Sequence, residues 1–214
     1  MSNPLDWRVL LIGGASAAGK TVVAQELAQR FGVSVLLVDD IRLAIQQVTT
    51  PAQLPDLHIF VSDEQAAQRT PELLRDGLVV VGRAIAPALK IVVAHHVVVA
   101  GAGPIIIEGD GILPELASQR RFQELKHFWG LQTGREVRAV FLFEPEEEVI
   151  FQNMCSRDRG FQELAPDEQR TIARASWLYG EWLLQEALAH KLPAVPARPW
   201  ETLTERVLAA IEAE

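Results

Sequence analysis

A chain of 214 residues with 49% hydrophobic side chains can bury a substantial core, as one large or two small domains. Its formal net charge of -8 argues against general electrostatic attraction to nucleic acid or an anionic membrane. Cys155 is the only cysteine, which excludes an intrachain disulfide and fits a reducing, cytoplasmic setting.

The opening "MSNPLDWRVLLIGG" has no cationic start, and its apolar run is too short for a signal peptide. Arg8 to Ile12 reads as a strand buried on both faces of a parallel sheet, running into glycines. A helix follows over 19–31, with Val23, Leu27 and Phe31 on one face and Gly32 at its end. Val33 to Val38 is a second apolar strand, and a helix starts near Asp39. Residues 49–69 carry two prolines and no clean period, so they read as irregular.

Thr70 and Pro71 mark a helix start, as N-cap and first helical residue. Valines dominate the stretch up to Ala100 and favour strand by propensity. Apolar residues recur there at three- and four-residue steps, which predicts a helix, interrupted or kinked near Pro87. Of the neighbours His95 and His96, one is expected to be buried. Residues 91–107 form a stretch of 17 without Asp, Glu, Lys or Arg. A spanning helix needs about 20 apolar residues, so this stretch is assigned to the core and not to a membrane.

Ile105 to Ile107 is a third strand, ending in "EGDG", and Val137 to Phe143 is a fourth. Helices are expected over about 145–156, begun by the acidic run "EPEEE", and about 166–190. Trp177, Tyr179 and Trp182 on the second of these read as core or interface. Residues 192–197 are a short fifth strand, and the last helix presents Leu203, Val207 and Ile211 on one face. Strands alternating with helices imply a single domain, a parallel sheet covered on both sides.

Several motifs carry chemistry. "GASAAGKT", from Gly14 through Ala15, Ser16, Ala17, Ala18, Gly19 and Lys20 to Thr21, fits the phosphate-loop pattern between a strand and a helix. Small residues let backbone N–H groups curl around phosphate, and the helix behind points its positive end at the anion. Lys20 reaches the outer phosphates, Thr21 offers a hydroxyl to Mg²⁺, and Val22 follows in the helix.

"DDIR" lies at the end of the second strand, where open α/β sheets face their ligands. Asp39 or Asp40 can orient or deprotonate an acceptor hydroxyl, and Arg42 can bind an anionic substrate; the plain alternative is a helix cap with a solvated arginine. At the third strand end, Glu108 or Asp110 could hold Mg²⁺ through water, with Glu108 favoured. "SRDRGF" puts Arg157 and Arg159 in a connection between two helices, as a lid over about 156–166 would. The backbone at Arg198 and Pro199 is a candidate border for the nucleotide base, and Trp200 reads as helix-entry packing.

Taken together, these stretches resemble the P-loop small-molecule kinases with nucleotide kinase-like folds. "GGASAAGKT", "DDIR", "IIIEGDGILP" and "SRDRG" look most like 2-phosphoglycerate kinase-type proteins. "GDG" after Glu108 departs from that pattern, as does the doubled acid at Asp40. The resemblance implies a three-layer α/β/α fold with a five-stranded parallel sheet in the order 2-3-1-4-5 and a small helical lid. It also implies that Lys20 and Thr21 contact ATP and Mg²⁺. In the same way, Asp39 becomes the acceptor-side acid, Arg42 meets the substrate anion, and Arg157 and Arg159 form the lid.

The leading expectation is an ATP-dependent kinase of a small hydroxyl-bearing metabolite, acting as a monomer or homodimer without nucleic acid or membrane. The alternatives are a nucleotide-binding switch or ATPase acting on a partner protein, or a toxin-like or antibiotic-modifying kinase.

Overall fold

The computed structural model describes residues 7–60, 70–99, 101–118, 137–157 and 160–212. Five parallel strands form one sheet in the order β2-β3-β1-β4-β5. They are β1 (Val9–Gly14), β2 (Ser34–Leu37), β3 (Ile105–Glu108), β4 (Val137–Phe143) and β5 (Ala194–Pro196). The central strands β1 and β3 are buried along their length and apolar but for Glu108 at the end of β3, because both faces are covered.

Successive side chains of a strand point to opposite faces, and the two cores divide accordingly. Val9, Leu11, Ile105, Ile107, Ala139 and Phe141 enter one core. Leu10, Ile12, Ile106, Val140 and Leu142 enter the other. Helix α1 (Lys20–Phe31) and the last helix cover the second face. Between strand and helix ends on the first face lie α2 (Val38–Val48), α3 (Pro71–Val98) and the single turn α4 (Pro114–Ala117). Two further helices, α5 (Glu147–Cys155) and α6 (Pro166–Ala189), precede β5, and α7 (Leu203–Glu212) closes the chain. Leu203, Val207 and Ile211 of α7 are buried, as their spacing predicts.

Helix α3 runs unbroken through Pro87, which lies on its exposed side; the sequence had suggested an interruption there. Thr70 caps its start by accepting from the Leu73 N–H (3.3 Å). At its end the Arg8 guanidinium donates to the carbonyls of His96, Val99 and Ala102, so the residue just before β1 closes the helix. By length and apolarity α3 could cross a membrane, but half of its most apolar stretch is buried within the protein.

Two local expectations need correction. Neither histidine is buried: His95 is exposed, and half-buried His96 pairs its ring with the Gly103 carbonyl (3.1 Å). A helix's neighbouring positions diverge, but here both fall outside the contact stripe with the sheet. "EPEEE" is split. Glu147 and Glu148 open α5, whereas Glu144 is fully buried at the end of β4 and binds Arg198 (2.9 Å).

Candidate active site

The loop from Gly14 to Thr21 leaves the end of β1, the central strand, and enters α1. Gly14 (φ 144°) and Gly19 (φ 89°) take left-handed backbone that glycine adopts without strain. A side chain at Gly14 would also run into the Leu142 carbonyl of β4. Ala17 holds φ 67° although it is not glycine. Such strain persists where the surroundings over-determine it, and here three side chains do so.

Three successive loop carbonyls are each tied back. Lys20 Nζ donates to the Ala15 oxygen (2.8 Å) and Ser176 Oγ to that of Ser16 (3.0 Å). Asn153 Nδ2 donates to the oxygen of Ala17 (3.1 Å). In a trans peptide the N–H points opposite to the C=O. The N–H groups of Ser16 and Ala17 are therefore turned away from these anchors. Ser176 and Asn153 lie on α6 and α5, far from the motif in sequence, and nothing local to them signals the role.

Lys20 is buried, and that burial lowers its pKa; Asp110, Glu108 and Asp39 act in the opposite sense, while Arg157 reinforces the lowering. A small pocket is lined by Ser16, Lys20, Thr21, Asp39, Asp110 and Arg157, among others. Thr21 Oγ1 donates to Glu108 Oε1 (2.8 Å), and Glu108 is itself buried. β1 and β3 are register neighbours, Ile12 beside Glu108, which sets the carboxylate next to the loop.

A neighbouring pocket of about 150 Å³ opens on the other side of Asp39. Val38, Phe60, Leu78, Val81, Ile85 and Tyr179 form its apolar walls. Asp39, Arg42 and Asp110 supply its charged lining. Asp39 and Asp110 thus border both spaces. Burial raises the Asp110 pKa, partly offset by Lys20 and raised further by Asp39. The buried Tyr179 hydroxyl donates to the Asp110 carbonyl (2.5 Å), and burial also raises its own pKa. On the same turn, a side chain at Gly109 would strike Val38 Cβ at 2.6 Å, so the turn packs directly on the start of α2.

The other expected site residues fall as follows. Asp40 is exposed and lines neither pocket. Arg42 donates to Asp39 Oδ1 (3.1 Å) and to Gln46 Oε1 (3.2 Å). Arg157 lines the small pocket beside the 14–21 loop, whereas Arg159 lies outside the described residues. Val22 is exposed on α1. Arg198 forms a fork with Glu144 and reaches Glu146 (2.6 Å), which holds its pKa up. Pro199 leads into Trp200, and a side chain at Gly19 would meet the Trp200 ring at 2.6 Å. Trp200 therefore packs on the phosphate loop as well as opening the last helical segment. Tyr179 and Phe60 are pocket residues that the motifs did not indicate.

The site fits a magnesium ion in its donor chemistry. Thr21 and Glu108 bring two hard oxygens together beside the glycine-containing loop. Among the described residues no group of three or more His, Cys, Asp or Glu could hold a metal. The protein would then supply part of the coordination, with water and phosphate oxygens the rest.

No family model matches the chain. Over 51 residues it is 41% identical to the 2-phosphoglycerate kinases of Pyrococcus horikoshii and Pyrococcus furiosus. The match spans 23% of this chain and 17% of the length of those relatives. A provisionally named kinase from Chloroflexus aurantiacus is similar in structure over 98% of both chains, at a TM-score of 0.52 and 15% identity. A deoxyadenosine kinase from M. mycoides is similar over 96% of this chain and 100% of its own, at 0.47 and 14% identity. The chain has the fold of the P-loop small-molecule kinases, with the sheet order 2-3-1-4-5.

Proposed function

We propose that this protein is an ATP-dependent kinase that phosphorylates a hydroxyl group of a small metabolite. One observation carries the reading: Asp39 borders both the phosphate-side pocket and the separate, partly apolar pocket next to it. A nucleotide switch needs only the first of these. A transferase needs a second compartment and a proton acceptor between the two.

In this mechanism the loop 14–21 and the positive end of α1 bind the phosphates of ATP. The acceptor lies in the second pocket with its hydroxyl against Asp39. Its oxygen forms the new bond to the γ-phosphorus, while the bond from that phosphorus to the β–γ bridging oxygen breaks. The hydroxyl proton passes to the Asp39 carboxylate, and ADP leaves with the electron pair of the broken bond. Lys20 and Arg157 offset the charge of the phosphoryl oxygens. Arg42 holds the Asp39 carboxylate in place (3.1 Å). A Mg²⁺ ion, when bound beside Thr21 and Glu108, supplies further neutralisation of phosphate charge.

Acceptor-dependent release of ADP from Mg²⁺·ATP tests the proposal. The expected result is turnover with some hydroxyl compound that disappears in Lys20→Ala. Nucleotide binding without turnover on any acceptor in a broad metabolite screen would favour the switch.

A further inference from the structure

The charge at the acceptor pocket separates two classes of substrate. Arg42 is the only cationic side chain among the described residues lining it. All three of its guanidinium nitrogens are engaged: Nε and Nη2 with Asp39 (3.3 and 3.1 Å), Nη1 with Gln46 (3.2 Å). Gln46 is fixed in turn, donating to the Leu57 carbonyl (2.6 Å). The arginine is built into the wall and bound to one of the two carboxyl groups. Asp110 adds the second, on a turn held by Tyr179 and by the close packing of Gly109 on Val38. The remaining walls are hydrocarbon and aromatic rings.

Building on the kinase reading, we infer that the acceptor is an uncharged or cationic hydroxyl compound with one hydrocarbon face. Its hydroxyl or amino groups are read by Asp39 and Asp110 together, and phosphorylated or carboxylate acceptors are rejected. An anion here would meet two carboxyl groups, and the arginine among the described lining residues already shares its charge with Asp39, so only its two remaining N–H groups could answer. An ammonium group can donate to both carboxyl groups, and a hydroxyl to either one, without disturbing the Arg42–Asp39 pair. Phe60 and Tyr179 place aromatic rings on the lining, against which the C–H face of a polyol ring can pack.

The test uses acceptor sets that share one carbon frame and differ in charge. One set is glucosamine, glucose, gluconate and glucose 6-phosphate; another is serinol, glycerol, glycerate and 2-phosphoglycerate. ATP binding is measured separately by calorimetry, and transfer by kcat/KM for each acceptor. In a set that is used, the amine or uncharged member should exceed the carboxylate by roughly tenfold or more, and the phosphate should fall lower still. Asp110→Asn should narrow that gap by raising the anionic members. Preference of the unaltered protein for a carboxylate or phosphate member overturns the inference while leaving the kinase reading intact. So does turnover of the anionic members alone in every set that is used. Unchanged ratios in a folded Asp110→Asn protein overturn it as well. Loss of ATP binding itself in the unaltered protein would instead strike the kinase reading, and this inference with it.

Discussion

Thr21 and Glu108 are 87 residues apart in sequence and share a hydrogen bond of 2.8 Å, because β1 and β3 end side by side. The pair links the 14–21 loop to a buried carboxylate beside it. In the proposed enzyme Glu108 orders the outer shell of the magnesium ion. Glu108→Gln keeps the size and loses the charge. Apparent Mg²⁺ affinity should fall roughly 10–100-fold, the usual range for outer-shell partners. Titrating Mg²⁺ at saturating ATP reads this directly; an unchanged midpoint would remove Glu108 from the metal's surroundings.

Lys20 sets function against stability. Its ammonium is buried and its pKa lies below the ordinary 10.5. Between that lowered value and 10.5 the unfolded chain binds more protons than the folded one. Stability should therefore rise with pH across that window, and below it the burial penalty is present in full. Lys20→Met should abolish ATP turnover yet raise the melting temperature at pH 7 by a few degrees. The Ala15 carbonyl still keeps the Ala18 N–H (3.3 Å) in that variant. Melting curves of both proteins from pH 7 to 10.5 should converge at the alkaline end; parallel curves would contradict the burial argument.

Asp39 and Asp40 offer an internal control. Asp39 borders both pockets, whereas Asp40 is exposed and borders neither. Asp39→Asn should lower turnover by roughly 10²–10⁴-fold with little change in ATP affinity. Asp40→Asn should change turnover less than threefold, as surface substitutions usually do (about 0.5 kcal/mol). Steady-state kinetics on the two variants decides, and the reverse ranking would move the acid by one position.

The anchors behind the loop are testable without touching the chemistry. Ser176→Ala removes the donor to the Ser16 carbonyl and Asn153→Ala the donor to Ala17. Each should cost about 1 kcal/mol of stability and weaken ATP binding, because the strained Ala17 backbone loses a restraint. The sum of the two effects, measured by denaturant unfolding and calorimetry, should exceed either alone. A double variant with native ATP affinity would mean the loop holds its shape unaided.

What was legible in the sequence follows from how local each signal is. Gly14 to Thr21 is a contiguous motif whose chemistry sits in eight adjacent residues, and its strand and helix were readable from apolar runs beside it. Asp39 was readable because a strand end precedes it. Thr70 and Pro71 marked the start of α3, but valine-rich composition and Pro87 obscured that it is one helix; its burial against α6 and the sheet outweighs both local preferences. Ser176, Asn153, Tyr179 and Phe60 were not legible as site residues, since each acts only through a contact made across the fold. Glu144 was misread for the same reason. An acidic run normally opens a helix at the surface, yet this one begins inside, paired with a distant arginine.

The tie between Ser176 and the Ser16 carbonyl spans 160 residues. It has a consequence for how the molecule comes into being. β1 is synthesised before β3 and β4, the strands it pairs with, and its loop gains the Ser176 anchor from α6 later still. Such long closures are slow to form. A chain still emerging from the ribosome carries the complete motif with no framework to shape it. Nucleotide can act on the protein only after most of it has been made, and then favours the finished form by mass action. ATP would thus serve as a late selector of correctly closed molecules, with no part in guiding the early ones.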